Sequence, residues 1–391
     1  MEAYAPELTS AGLRAFIAEH ITPHATDIDR EARFPAEQVA AAGRAGVPAV
    51  LMNGTELDLS RAPRIVEVSE SLAAASMACG IAITNCRLMP YLLSRYAEAE
   101  VRDRWVGSTL RGETYGAFAI TEPHAGTDVR ALSTVARRDG EDYVVTGEKL
   151  WVGYAPNGSY AITLAKLDSD ERDATMVALV IDLASEGVTR GHGEELSGVR
   201  GMANGWIKYD NVRVPGVNRL NVEGFSGMMD GLNLARIDAA AFAVGLIRGA
   251  AEEAISRAAT RPAFGGTIGD LPSIQAKIGQ MLADYRAARE LTRLAAESFA
   301  QGGGGDQDLI SMAKLFAADA SRRHTDEAVQ VFGAQGIGIW SRVNRLNRDS
   351  KITQIFDGTS EIHETMLGRR AVRGHLRGEL PPALVIEELL G

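Results

Sequence analysis

Thr353-Gln354-Ile355-Phe356-Asp357-Gly358-Thr359-Ser360-Glu361-Ile362-His363, near the C-terminal end, is the stretch on which the reading of the chain turns. An acidic residue followed by Gly-Thr-Ser makes a turn that leads into a helix. Thr359 or Ser360 can accept hydrogen bonds from the first free N–H groups of that helix. Glu361 falls in its first turn, where negative charge suits the helix dipole. Asp357 therefore stands just before the helix, behind the apolar pair Ile355-Phe356. A carboxylate fixed between an apolar wall and a tight turn suits a general base, because desolvation lifts its pKa toward neutral pH. An Asp that only closes the turn fits the same residues, so the stretch needs the rest of the chain to interpret it.

Upstream of this turn the pattern is helical back to about Gly224, with long segments at Met228–Ala259, Ile274–Gly302 and Asp308–Phe332. Ile274, Ile278, Met281, Leu282 and Tyr285 form one apolar stripe, as bundle packing requires. Gly302-Gly303-Gly304-Gly305 reads as a flexible connection; a phosphate loop would need a strand before it and Lys-Ser/Thr after it. Before Pro215 the period changes. Tyr115–Ile120, Ser133–Arg137, Tyr143–Thr146, Tyr160–Lys166, Thr175–Ile181, Trp206–Tyr209 and Val212–Val214 read as short strands, and Asp139-Gly140 is a hairpin turn pair. From Leu8 to Arg111 the chain is helical again, with four or five helices punctuated by Pro23, Pro35, Pro48 and Pro63 and a loop near Met52–Leu59. The expected architecture is α+β: an N-terminal helical domain (1–112), a central antiparallel β domain, barrel or sandwich (113–222), and a C-terminal four-helix bundle (223–391).

Composition excludes some functions. The 391 residues are 46% hydrophobic and 24% charged, ordinary for a globular protein with a sizeable core. A net charge of −10 argues against nucleic acid or an anionic membrane as the main partner, while leaving room for a local basic patch. Cys79 and Cys86 lie in an apolar helical stretch and read as buried free thiols, which suits a reducing compartment. The opening residues show no leader-like apolar core and no apolar run approaches a membrane span, so a cytoplasmic location is expected. His124, His192, His324 and His363 have no i,i+4 pairing with one another or with Cys, which argues against a metal site.

Five segments, in order and spacing, resemble the acyl-CoA dehydrogenase family over nearly the whole chain. They are Ala119-Ile120-Thr121-Glu122-Pro123-His124-Ala125-Gly126-Thr127-Asp128, Gly147-Glu148-Lys149-Leu150-Trp151-Val152, Arg261-Pro262-Ala263-Phe264-Gly265, Gln330-Val331-Phe332-Gly333-Ala334-Gln335-Gly336, and the Ile355–Ile362 stretch. The resemblance implies an FAD-dependent acyl-thioester dehydrogenase, usually a homotetramer, with a homodimer as the simpler assembly. A carboxylate takes the α-proton while hydride leaves the β-carbon for flavin N5. Carried over by position, Asp357 is the base, and its own backbone N–H helps hold the thioester oxygen. Ile120, Thr121, Gly126, Thr127, Trp151 and Gly153 line the flavin. Arg261 pairs with the pyrophosphate, a charge-assisted contact. Phe264, Gln330 and Gly333 meet the adenosine half, partly across a subunit boundary, and Thr359 and Glu361 also touch the cofactor. Arg236, Phe356 and Thr127 fall at the substrate. The expected partners are an acyl-CoA or acyl-carrier-protein thioester, with electron-transfer flavoprotein or O2 as acceptor.

Three departures accompany the resemblance. The family most often has Tyr-Glu where this chain has Phe356-Asp357, which shortens the base by roughly 1.5 Å. Some members place the base beside the position of Arg236, but the neighbour here is Ala235. Gly153 stands where the family usually has Thr or Ser with a hydroxyl near flavin N5. Pro48–Ser60 replaces a Gly-rich loop, and Pro272 stands where Gln is common. The Asp keeps open a nitroalkane-oxidase-like flavin oxidase using O2, and a catalytically silent flavin-binding paralogue is the remaining alternative; an acidic residue retained at 357 argues against the last.

Overall fold

The computed structural model describes residues 6–168, 176–222 and 224–379. Thr175, the expected first residue of a strand, Glu223, the expected first residue of the C-terminal domain, and the first five residues of the leader reading lie outside them.

Five helices open the chain: α1 (Ser10–Phe16), α2 (Ala25–Glu31), α3 (Ala36–Arg44), α4 (Pro63–Tyr96) and α5 (Ala99–Leu110). Pro35 precedes α3 and Pro63 opens α4, where a missing N–H costs nothing. The loop expected near residue 52 holds a two-residue ladder, β1 (Met52–Asn53) with β2 (Glu56–Leu57). Helix α4 corrects one expectation: by length and composition it could cross a membrane, but 78% of its apolar window is buried inside the fold. Most of its buried residues are apolar because α5, α6 and α7 pack against it. Cys79 and Cys86 are buried free thiols within it, and burial pushes them up to about 11 and about 12, which keeps them protonated and inert.

The middle of the chain is one seven-stranded sheet of β3 (Gly116–Ala119), β4 (Val135–Asp139), β5 (Asp142–Gly153), β6 (Tyr160–Leu167), β7 (Met176–Asp182), β8 (Val188–His192) and β9 (Asn204–Val214). The β4–β5 hairpin closes at Gly140 with φ 65°, as Asp139-Gly140 predicts. The sheet is mixed rather than wholly antiparallel: β6 runs antiparallel to β7 but parallel to β3 and to β4. The two strands expected at 206–209 and 212–214 are a single strand, β9, carried through Asn211 at φ 52°, a backbone state that Asn tolerates. Strand β8 was not expected. Its Val-Thr-Arg-Gly-His sequence is half-exposed at the sheet edge and alternates weakly.

The chain then returns to helix: α6 (Gly224–Thr260), a two-residue ladder of β10 (Pro262–Ala263) with β11 (Gly266–Thr267), α7 (Pro272–Ala300), α8 (Gln307–Phe332), the single turn α9 (Ala334–Ile337), α10 (Arg342–Ser350) and α11 (Ser360–Leu376). Helices α6, α7 and α8 pack on one another, α11 lies on α8, and α4 lies on α6. Of the expected α7 stripe, Ile274, Ile278 and Met281 face α6 and α8, whereas Leu282 is 48% exposed. The four glycines after α7 are not a slack linker. All have positive φ, and Gly304 packs against α6, its carbonyl accepting from Asn233 Nδ2 at 2.9 Å.

Candidate active site

The turn before α11 forms as its residues predict. Thr359 has extended backbone angles, and its Oγ1 accepts from Ile362 N at 3.4 Å, so it is the N-cap. Ser360 instead donates to Asp319 Oδ1. Exposed Glu361 sits in the first turn, its carboxyl held below the usual range by its own backbone N–H and by Thr359. Asp357 has φ 56° and Gly358 φ 104°, two successive left-handed residues that turn the chain sharply into the helix. The apolar wall behind Asp357 is narrower than expected. Ile355 is 52% exposed, because the short 3-10 turn Lys351–Gln354 rotates it outward. Phe356 alone packs inward, on the cluster of Ala73, Met77, Phe242 and Leu246.

Burial pushes the Asp357 carboxyl up to about 6, against the opposing pull of Lys314 and Arg236. Arg236 is no solvated helix-face residue. It is 6% exposed on α6 and donates from Nε to Asp357 O at 2.9 Å and from Nη1 to Asn233 Oδ1 at 3.1 Å. Lys314, on α8, is equally enclosed and donates from Nζ to Gly358 O at 2.5 Å. His363 lies fully buried under the turn, and burial holds its imidazole down to about 3, in the neutral form. Its ring nitrogens have no hydrogen-bond partner among the described residues. Behind Arg236, Asp238 accepts from Ser69 Oγ at 2.5 Å and pairs with Arg87, both from α4; burial raises its carboxyl.

Lys314, Arg87, Asp238 and Ser69 escaped the sequence reading, as did the part His363 plays. A signal existed for Lys314: it shares a helix face with Ile310, Ala317 and Ser321, all buried.

A second group of the expected residues lies on the sheet. Lys149 and Glu122 form a buried ion pair at 2.7 Å, and Lys149 Nζ also donates to Ile120 O at 3.0 Å. Leu150 N donates to Thr121 O at 2.9 Å, so Ile120 and Thr121 are pinned beside Trp151. The pairing of β5 with β9 shifts register between Lys149 and Val152, and this bulge puts Trp151 at φ 58° with its indole 52% exposed. A Cβ at Gly126 or Gly153 would meet nothing within 4 Å. Gly126 and Thr127 are exposed.

A third group gathers where α6 and α8 end. Arg261 is exposed, and its side chain has no partner among the described residues. Phe264 sits at φ 50° in the tight turn between β10 and β11 and is 93% exposed. Gly333 ends α8 at φ 61°, with open space where a Cβ would stand, and Gln330 is exposed one turn earlier. An aromatic ring held outward in a strained backbone, an unpaired guanidinium and open glycine surfaces fit a large, flat, phosphate-bearing cofactor.

Three family models match along the chain. "Acyl-CoA dehydrogenase, N-terminal domain" matches residues 7–113, the "middle domain" 117–212 and the "C-terminal domain" 222–372. The chain is 31% identical to a 3-(aryl)acrylate reductase of Clostridium sporogenes, over 94% of this chain and 98% of the relative. It is 32% identical to a cyclohex-1-ene-1-carbonyl-CoA dehydrogenase of Geobacter metallireducens, over 93% and 97%. Its fold matches the solved structure of butyryl-CoA dehydrogenase from Megasphaera elsdenii with a TM-score of 0.87 at 26% identity, over 94% of this chain and all (100%) of that one.

Proposed function

The chain belongs to the acyl-CoA dehydrogenase family, and from that premise we propose that Asp357 is the base of an FAD-dependent α,β-dehydrogenation of an acyl-CoA thioester. The observation that carries the assignment is the Asp357 turn itself. A carboxyl pushed up to about 6 is still ionised at neutral pH, yet basic enough to take a proton from a weakly acidic α-carbon.

Bound FAD supplies the hydride acceptor, at flavin N5. Ile120, Thr121, Gly126, Thr127 and Gly153 would present backbone and hydroxyl groups to the flavin, and Trp151 would cover its ring. Arg261 would meet the pyrophosphate, and Phe264, Gln330 and Gly333 would meet the adenosine half, partly across a subunit boundary, with Thr359 and Glu361 at the turn. Among the described residues the Asp357 N–H has no acceptor, which leaves it free to hold the thioester oxygen as charge develops there. Arg236 holds the Asp357 carbonyl and with it the peptide plane that follows the base. Phe356 and Thr127 border the acyl group. The same base can return the α-proton, so the arrangement also serves reduction of an enoyl thioester, the direction that the name of the acrylate reductase relative describes.

We assign electron-transfer flavoprotein as the acceptor, on family grounds. A homotetramer would cover the apolar side chains that α7, α8 and α11 leave exposed, among them Leu294, Phe316, Val372 and Leu376.

The test is anaerobic titration of the yellow purified protein. Short acyl-CoAs should bleach the flavin absorbance. Bleaching by nitroalkanes alone, or by nothing, would sink the proposal. The pH profile gives a second check. The base works ionised, so kcat/KM should rise with pH through a midpoint near about 6, the folded value of Asp357, and be lost below it.

A further inference from the structure

Among the described residues, two buried cations meet one turn. Lys314 reaches it from α8 and Arg236 from α6, and they take successive carbonyls: Gly358 O at 2.5 Å and Asp357 O at 2.9 Å. The turn needs such anchoring. Asp357 carries a side chain at positive φ, a backbone state that its surroundings must help to hold, while Gly358 takes its own positive φ freely. A lysine that is 1% exposed loses most of its hydration, and a single carbonyl repays little of it. Charges nearby repay more: Asp357, Asp319 and Glu361 favour the ammonium, while Arg236 opposes it. On the other side the Asp357 carboxyl faces Lys314, Arg236 and Asp238. Neutral His363 completes the enclosure from α11; a Cβ at Gly358 would lie 3.1 Å from its Nε2.

We propose that Lys314 is a positioning residue for the reaction: with Arg236 it clamps the Asp357–Gly358 carbonyls, fixing where the base reaches and which charge it faces. This rests on Asp357 being the base. Arg236 sets the carbonyl of the base residue itself, and Lys314 sets the next peptide. Together they leave the carboxyl little freedom except its own χ angles. For an Asp, short by one methylene, such constraint matters more than for a longer carboxylate.

The test reads the Asp357 carboxyl directly. Protein labelled with 13C at the aspartate carboxyls is titrated by NMR, the Asp357 signal being the one missing in Asp357→Asn. Loss of the ammonium in Lys314→Met should move the Asp357 midpoint upward by about one pH unit, and Lys314→Arg should restore it. The acid limb of kcat/KM should move with it, and kcat should fall by about 10- to 100-fold as the turn loosens, with FAD still bound. An unmoved midpoint in a folded, yellow Lys314→Met protein would overturn the inference, whatever its activity. Wild-type protein that turns over no thioester would overturn the proposed function instead, and the carboxyl titration would still report on Lys314.

Discussion

Asp357→Asn should cut kcat/KM for an acyl-CoA by about 10²- to 10⁴-fold, the usual contribution of a positioned general base. The replacement is unusually clean at this position. Asn is isosteric with Asp and tolerates the left-handed backbone that residue 357 adopts at φ 56°. The anchoring contacts of Arg236 and Lys314 go to backbone carbonyls, so they survive the change. FAD content and the fit of the turn should therefore stay near wild type while proton abstraction fails, and the thermal midpoint should fall, because buried Lys314 and Arg236 lose the carboxylate that favours their charge. Residual activity should also lose the acid limb near about 6, because the group that titrates there is gone. Stopped-flow bleaching of the flavin by an acyl-CoA measures both. Wild-type bleaching rates in the Asn variant would remove Asp357 from the mechanism.

What the sequence made legible follows from how local each feature is. The Thr359 cap, the Asp139-Gly140 hairpin and the long C-terminal helices depend on residues close in the chain, and all appear in the structure. The parallel pairings of β6 with β3 and β4 join segments separated by other strands, and no alternation pattern encodes them. Strand β8 gains its place from β9 rather than from its own Thr-Arg-Gly-His. The site divides in the same way. Asp357 and its cap could be read from one stretch. The burial of Arg236 could not, because it becomes enclosed only when the turn before α11 arrives against α6; for Lys314 the helix face was legible, but the carbonyl it meets was not. Helix α4 has a length and composition that would also suit lipid, and the helices packed around it show that protein covers it.

Lys149→Met should destabilise the protein by about 3–5 kcal/mol, because it leaves a buried carboxylate without its cation. Set against a typical total of roughly 5–15 kcal/mol, that is a large share. Lys149 is fully buried, and its ammonium serves both Glu122 and the carbonyl of Ile120. Glu122 also accepts from Ser133 N, Ser133 Oγ and Thr134 N, which tie the segment carrying Thr121, Gly126 and Thr127 to the start of β4. Burial works against the Glu122 charge, but hydrogen bonds from Lys149, Thr134 and Ser133 outweigh it and hold the carboxyl at about 2, below its usual 4.5. The sign follows. In the wild type the Glu122 contribution is present above 4.5 and is lost as pH falls toward about 2; at the other end burial holds Lys149 down to about 8, so the pair keeps both charges only below that pH. Without Lys149 the carboxyl is buried with fewer donors and its folded value climbs, so protonation relieves the variant. The gap in thermal midpoint between wild type and Lys149→Met, at fixed FAD, should therefore narrow as pH drops from about 7 to about 4. Adding Glu122→Gln should recover part of the loss, because the stranded charge goes with it. A gap independent of pH, or a double variant as unstable as the sum of the singles, would mean that lost packing rather than an uncompensated carboxylate sets the cost. Since Ile120 and Thr121 hang from this pair, the single variant should also come out of purification with less FAD, a loss that absorbance at constant protein concentration measures without any assay of turnover.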